Sequence, residues 1–499
     1  MKLTKKRIFI CIIIFLSGQL FAVNPFEYKL NQYERDSTKR LSPLQRSLVE
    51  IGSIYLVRSL IYSQIGAIQD NDYESWSKGL KARFISKKAY RLDDNSILIN
   101  HLGHAVLPAF ETGLFRSNGM SYTNSFLMQL SASTFWEIVV EARETVSLND
   151  LLVTPVAGSS ISEVAFQFSR FFRKGKPTRF NKVMSGIFNG TNLVNDPYKN
   201  RLSGKNFDNY GFDADVYHEF KSFSSLYGSV SDKTYLVELG TEMQLINIKG
   251  YGDVGFMRHL FKEPITSDVS LDILGNHKSF GELDFSLQTM FFSHYSKNIR
   301  IDSTNILRGN SFLIGAATGY SVNYSEVCKP SDFLIPLHVI GLNIEWISFI
   351  HKVKLRFKSV LFGDFATVTS LLLDDYSTKI GGLKTAKNTL KKEHYYNAIG
   401  TTFNSELEVR KGNFSIGSKL HFAKFSSIEN YDRHQEQVTN DFHLDDIRIR
   451  EKVWASYFPF NQLELQLGYD FRTWKSIIAK NLKLSQQKDW VYCKLVFKY

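Results

Sequence analysis

The chain ends on residues 490–499, WVYCKLVFKY, where Val491, Cys493, Leu495, Phe497 and Tyr499 alternate with Tyr492, Lys494, Val496 and Lys498. Successive side chains on a strand point to opposite faces. This segment therefore reads as a strand with one apolar face, closing on an aromatic carboxy-terminal residue. The same period recurs upstream. In 463–472, Leu463, Leu465, Leu467, Tyr469 and Phe471 alternate with Glu464, Gln466, Gly468, Asp470 and Arg472. In 352–361, Val353, Leu355, Phe357 and Leu361 alternate with Lys352, Lys354, Arg356 and Lys358. Residues 282–291 and 236–245 repeat the pattern with Glu282, Asp284, Glu238 and Glu242 on the polar side. Polar segments at 295–310, 377–394 and 426–441 separate these runs. Proline, only 10 in 499 residues, stays out of them, as a closed hydrogen-bonded sheet requires.

A soluble sandwich also has strands with one apolar face, but its strands average about 5–6 residues. Runs of about ten match a tilted crossing of a hydrocarbon layer. The last segment resembles the terminal strand of bacterial outer-membrane barrels. That resemblance implies insertion by the barrel-assembly machinery, with Phe497 and Tyr499 as its signal. The expected fold is mainly β: an antiparallel transmembrane β-barrel of about 12 strands over residues 210–499, preceded by an α-helical domain.

Composition agrees. Aromatics reach 14% while mean hydropathy is −0.19. That average is too polar for a polytopic helical membrane protein, and the apolar content is too high for disorder. A barrel reconciles the two, because aromatic girdles flank its outer band and alternate residues face a polar interior. Lys2, Lys5, Lys6 and Arg7 precede the apolar run Ile8–Leu16 and the sequence Leu20-Phe21-Ala22. This is the pattern of a signal peptide over 1–22, cut after Ala22. The expected location is the outer membrane of a double-membraned bacterium, with outer-membrane lipids as partners. Losing those four cations lowers the net charge from +12 to +8. No compact Lys/Arg block alternates with stacking aromatics, so no nucleic-acid partner is expected. Cys328 and Cys493 form neither a disulfide framework nor a zinc site.

The N-terminal part obeys a helical period. In 42–68, Ser42 and Gln45 form a capping box, Pro43 suits the first turn, and Leu44, Leu48, Ile51, Tyr55 and Leu56 recur at helical spacing. Two segments rich in small and aromatic residues follow, 96–116 and 121–145. Ser147 and Asp150 make another capping box, starting a helix to about Phe172. A helical domain is expected over 23–175, and a linker or loop over the Gly/Asn-rich 176–209.

The densest polar constellation lies in 100–163. It contains Asn100, His101 and His104, then Glu111 and Arg116. It continues with Trp136-Glu137 and Glu141, Ser147 with Asp150, Thr154-Pro155, and Gly158 to Glu163. Over about residues 95–170 this resembles an uncharacterised family of exported bacterial proteins, the domain of unknown function 3943. The resemblance rests on Asn-x-x-x-His, aromatic-Glu-x-x-x-Glu, and Ser-x-x-Asp followed by Thr-Pro and Gly. It assigns Asn100, Trp136, Ser147, Asp150, Thr154, Pro155 and Gly158 to family motifs and implies an envelope location, but no reaction. The stretch after Thr154-Pro155 has fewer glycines than that family's.

His101 and His104 share a helix face, and so do Glu137 and Glu141. If their helices pack antiparallel, these four could converge as a His–Glu acid/base pair or hold a divalent metal. The alternative is a set of polar groups hydrogen-bonded across helices. No cofactor is expected, a divalent metal being the one candidate. Ser147 and Asp150 read as a helix start, Trp136 as packing, and Arg116 or Arg143 as a partner for Glu141 or Asp150 ahead of a lipid phosphate. The leading functional expectation is a non-enzymatic envelope protein or gated conduit, its helices plugging the lumen or packing at the periplasmic mouth. The second is a barrel-associated hydrolase or transferase acting on a lipid or envelope substrate through the His/Glu group. Substrate and protein partner are not encoded in any motif found.

Overall fold

A computed structural model describes residues 41–65, 72–93, 95–191, 206–229, 234–276, 280–326, 332–369, 389–390, 394–431, 443–478 and 482–499. The segment 1–22 read as a signal peptide, Cys328 and most of 377–394 and 426–441 lie outside these residues.

Among the described residues six α-helices come first: α1 Pro43–Ile65, α2 Trp76–Ile85, α3 His104–Ser117, α4 Tyr122–Phe135, α5 Leu148–Lys174 and α6 Arg179–Phe188. π-Helical turns precede α3 (Leu98–Gly103) and extend α4 (Trp136–Val140). The caps are those the sequence specifies. Ser42 Oγ accepts from Gln45 N while Gln45 Oε1 accepts from Ser42 N. Ser147 Oγ accepts from Asp150 N at the start of α5. The segment read as a linker holds α6, started by the Thr178 hydroxyl, which accepts from Asn181 N. Its Gly and Asn content lies mostly beyond the helix, which hid the cap.

The strands of the large sheet are β1 Tyr217–Ser229, β2 Tyr235–Ile246, β3 Gly255–Phe261, β4 Thr266–Gly275, β5 Phe280–Ile301, β6 Leu307–Ser325, β7 Asp332–Ile350, β8 Val353–Val368, β9 Tyr396–Lys411, β10 Phe414–Ser427, β11 Leu444–Phe460, β12 Leu463–Ile478 and β13 Leu482–Lys498. Twelve of them close a ring in the order β5-β4-β2-β1-β13-β12-β11-β10-β9-β8-β7-β6, antiparallel throughout, and β6 pairs back onto β5. The thirteenth, β3, pairs with the far half of β5, so β3 and β4 act as one long strand broken at 262–265. The terminal strand is the closing one: Trp490–Lys498 pairs with Ser229–Lys221 of β1. Residues 295–310, read as a polar loop, are mostly strand. Only 302–306 turns, because the ends of β5 and β6 extend beyond the apolar part of their alternation.

Alternation sorts the wall. Glu282, Asp284, Ser286 and Gln288 of β5 line an internal cavity, whereas the alternating Phe285 and Leu287 pack in the core shared with α5. Much of the outer surface is exposed aliphatic and aromatic, for example Leu239, Leu361, Ile416 and Leu467. A closed barrel leaves no unpaired sheet edge, so such a surface is compatible with lipid.

The helices do not plug the lumen, and they are not confined to a mouth. They lie against the outside of the wall. The buried core of the helical domain, including Val153, Ala157, Val164 and Phe168, is continuous with outward-facing Leu245, Leu287, Tyr320, Leu337 and Phe365. Ser160 of α5 hydrogen-bonds Thr318 of β6 at 2.9 Å. The alternation fixed which strand residues were apolar; that some of them meet helices rather than lipid carries no mark in the strand itself.

Candidate functional site

Two polar regions are candidates: the constellation in the helical domain and the interior of the barrel.

The first begins at the end of α4. Ser125, Gln129, Ser133 and Glu137 recur every four residues and are all buried. Gln129 Nε2 donates to Glu111 Oε2 (3.0 Å), and Arg58 of α1 donates to Glu111 Oε1 (2.8 Å). The Arg58 guanidinium also stacks over the Trp136 ring, 4.1 Å from its centroid. Arg83 of α2 closes the end of the helix. It donates to the carbonyl oxygens of Glu137, Glu141, Ala142 and Glu144 at 2.8–3.1 Å, satisfying carbonyls that a helix end leaves open.

The family residues occupy the same corner. Glu137 Oε2 accepts from Ser147 N (3.3 Å), and Glu141 Oε1 accepts from the Trp136 indole N–H (2.8 Å). His104 Nδ1 lies 3.6 Å from Asp150 Oδ1 and 3.4 Å from Thr154 Oγ1. Asn149 Oδ1 accepts from Asp93 N (2.8 Å). Gly158 makes the close approach of α3 to α5: a Cβ there would sit 2.6 Å from Pro108 Cβ. Pro155 is buried in the early part of α5.

Of the four predicted chemical residues, three gather. His104, Glu137 and Glu141 share one neighbourhood with Asp93 and Asp150, whose charges act on them. His101 does not join. Its ring turns to the wall, where Nε2 meets Thr367 Oγ1 of β8 at 2.6 Å. Asn100 likewise donates to the Tyr395 hydroxyl at 3.2 Å. The reason is the π-turn: it shifts the helical phase between His101 and His104, so a spacing of three no longer places them on one face. Among the described residues, no three His, Cys, Asp or Glu side chains are arranged to hold a metal ion. Arg116 pairs with neither Glu141 nor Asp150. It grips Glu163 in a two-pronged contact at 2.7 and 3.1 Å, because α3 and α5 run parallel and place 116 beside 163.

This corner sits at the level of the strand ends, beside Thr367, Tyr395 and Tyr431. There, burial raises the Glu141 carboxyl to about 7, aided by the charge of Glu144 and partly offset by the Trp136 hydrogen bond. Burial also raises Glu137 well above the usual carboxyl range, reinforced by Glu141 and Asp150. Burial pushes His101 down to about 3, so its ring is neutral. Burial thus raises the proton affinity of both carboxyls in this corner.

The barrel interior is the second region. Its cavity of about 330 Å³ is lined by residues of nearly every strand, including Glu219, Asp268, Asp284, Arg356, Lys358 and Arg450. Arg356 of β8 reaches Glu219 of β1 (2.8 Å), and Arg450 of β11 reaches Asp284 of β5 (2.9 Å). In the ring order each of these pairs joins strands six places apart, which is across the full diameter. Apolar clusters flank the cavity. One includes Leu390, from the β8–β9 connection, with Tyr396, Leu444 and Ile478. The other includes Ile248 and Tyr251, from the β2–β3 connection, with Tyr295 and Ile347. Those two connections leave opposite ends of the barrel. Alternation located the lumen-facing charges Glu238, Glu242, Glu282, Asp284 and Arg356; their pairing across the lumen required the ring order.

No curated protein matches the chain. Among solved structures, the translocator domain of autotransporter NalP from Neisseria meningitidis shares 7% identity at a TM-score of 0.21, over 56% of this chain and 88% of that one. The β domain of the Bordetella autotransporter BrkA shares 8% at 0.20, over 57% and 99%. The outer membrane channel DcaP of Acinetobacter baumannii shares 7% at 0.20, over 59% and 100%. The barrel assignment rests on the strand pairing itself. The helical segment that carries the Asn100, Glu137, Ser147–Asp150 and Gly158 motifs matches, over residues 89–191, the family model described as Domain of unknown function (DUF3943).

Proposed function

We propose that the protein is a sealed outer-membrane barrel that serves as an envelope scaffold, with the helical domain mounted on its outer wall as the working part. The observation that carries this reading is the pair of diametric contacts, Arg356–Glu219 and Arg450–Asp284. Side chains that meet across the lumen narrow the aqueous path at that level, and these charges, paired at 2.8 and 2.9 Å and only partly exposed, hold the two sides of the wall together. The test is planar-bilayer recording of the full mature chain, with heat-modifiable gel migration verifying the folded barrel. The expected result is no steady conductance. A stable unitary conductance from folded protein would overturn the sealed reading in favour of a conduit.

A second reading, an enzyme acting on a lipid or envelope substrate, is favoured by one observation. Glu141 shares one corner with His104 and Glu137, and burial there raises its carboxyl to about 7, a range suited to general acid/base work. Mass spectrometry of an outer-membrane lipid extract incubated with the folded protein and with Glu141→Gln tests it. Identical lipid profiles would rule out lipid turnover at this corner.

A further inference from the structure

Two helices, α1 and α4, have the polarity of a globular surface turned inside out. On α4 the stripe Ser125, Gln129, Ser133 and Glu137 is buried, while Leu127 and Phe135 are about half exposed. On α1 the charged Glu50 and Arg58 turn inward to Asn118 and Glu111, and Arg46, at the helix start, pairs with Glu50 along the helix. Every exposed position of α1 from Leu44 to Ile61 is uncharged. Leu56 and Leu60 are 64% and 60% exposed, matching Leu467 and Ile399 on the barrel's outer face at 63% and 60%.

A surface of this kind is unfavourable in water, at roughly 25 cal/mol for each Å² of apolar area left wet, and contiguous patches mark an interaction site. Polar groups turned inward and paired with one another are the arrangement a bilayer selects. The position agrees. α3 and α5 cover a sector of the outer wall that includes Val269, Phe285 and Leu337. α1 then runs antiparallel to α3, with Glu50 near Asn118 and Arg58 at Glu111. Its 23 residues span about 35 Å, enough for a hydrocarbon layer. α5 is by itself long and apolar enough to cross one.

We infer that the helical domain is embedded in the bilayer beside the barrel, with lipid acyl chains covering α1 and α4. The helices thus displace lipid from one sector of the wall and present a new apolar surface to the same lipid. This rests on the reading that the barrel sits in a membrane. The occupant is lipid because, among the described residues, the exposed positions of α1 and α4 carry no charge and are as open as the apolar outer face of the barrel.

Site-directed spin labelling tests this on the full mature chain, with Cys328 and Cys493 changed to Ser, folded into phosphatidylcholine/phosphatidylglycerol vesicles. Labels go at Leu56→Cys and Leu127→Cys, with Leu467→Cys on the barrel band and His351→Cys in an exposed turn as references. Gel migration verifies that each variant is folded. The expected result is an oxygen-to-nickel-chelate accessibility ratio at Leu56 and Leu127 as high as at Leu467. Ratios matching His351 would place the helices in water and overturn the inference. Dipolar broadening at Leu56 that vanishes on dilution with unlabelled protein would identify a second copy as the occupant and overturn it too. An aqueous ratio at Leu467 would refute the membrane barrel itself, which separates failure of that reading from failure of this one.

Discussion

Replacing Arg116 with Leu tests how the helical domain holds to itself and to the wall. The guanidinium makes a two-pronged contact with Glu163, donates to Met120 O (2.6 Å) and lies 3.4 Å from Glu263, between β3 and β4. Glu163 is fully buried, and its remaining donor is Gln167 Nε2 at 3.0 Å. Arg116→Leu strands that carboxylate, and breaking a buried pair from one side costs about 3–5 kcal/mol. Arg116→Leu/Glu163→Leu removes both charges and should recover most of the loss, since an apolar pair of similar volume is close to neutral. The assay is proteolysis at the α5–α6 junction, around Arg173, Lys174 and Arg179. Cleavage there requires local opening, so its rate follows the opening free energy. At 1.36 kcal/mol per decade, the single variant should be cut roughly 160- to 5,000-fold faster than the parent, with barrel gel migration unchanged. The reasoning fails if the single variant is cut less than about tenfold faster. It also fails if the double variant is cut as fast as the single.

Two further outcomes follow from the same corner. Gly158→Val places a Cβ 2.6 Å from Pro108 Cβ and 3.0 Å from its carbonyl carbon, so α3 and α5 must separate; an overpacking cost of about 1–3 kcal/mol should lower the thermal midpoint of the helical circular dichroism, and an unchanged midpoint would contradict the close approach. Glu141 has a folded-state pKa raised from the ordinary carboxyl value of about 4.3 to about 7, so between those values the folded state binds more protons and stability falls as pH rises. That slope should flatten above pH 7 and shrink in Glu141→Gln, and the Trp136 indole ¹⁵N resonance should titrate near pH 7 in the parent alone; a flat indole resonance would refute the assignment.

The barrel was legible because its signal is repeated. Leu465 against Gln466 means little alone, but the same alternation across 236–245, 282–291, 352–361, 463–472 and 490–499 leaves one architecture compatible with a closed ladder. The helix starts were legible because Ser42–Gln45 and Ser147–Asp150 are local chemistry. The site was legible only in part. Spacing put His101 and His104 on one face, and a regular helix would have kept them there. The π-turn over Leu98–Gly103 rotated His101 onto Thr367 instead. Arg58, Arg83, Glu111 and Glu163 were missed as a network, since each pairs with a residue at least 47 positions away. One local signal did exist: Ser125, Gln129, Ser133 and Glu137 form a polar stripe every four residues on an otherwise apolar helix.

That stripe bears on why the position of the helices could not be read from amphipathicity. Periodicity reports that a helix has two unlike faces; it does not report which face turns inward. In water the apolar face is buried, and α1 read by that rule would bury Leu44, Leu48 and Leu56. The structure buries the side of α1 that carries Arg58, against Glu111, and leaves the leucines out. The solvent sets the sign, and the sequence states the solvent only through the barrel that follows. Once the strands from 217 onward are read as lipid-facing, a preceding helix whose exposed positions carry no charge along 18 residues is consistent with the same medium. The helical domain and the barrel are then one answer to a single constraint: charged groups meet inside, across the lumen at Arg356–Glu219 and between helices at Arg116–Glu163, while the outside stays apolar.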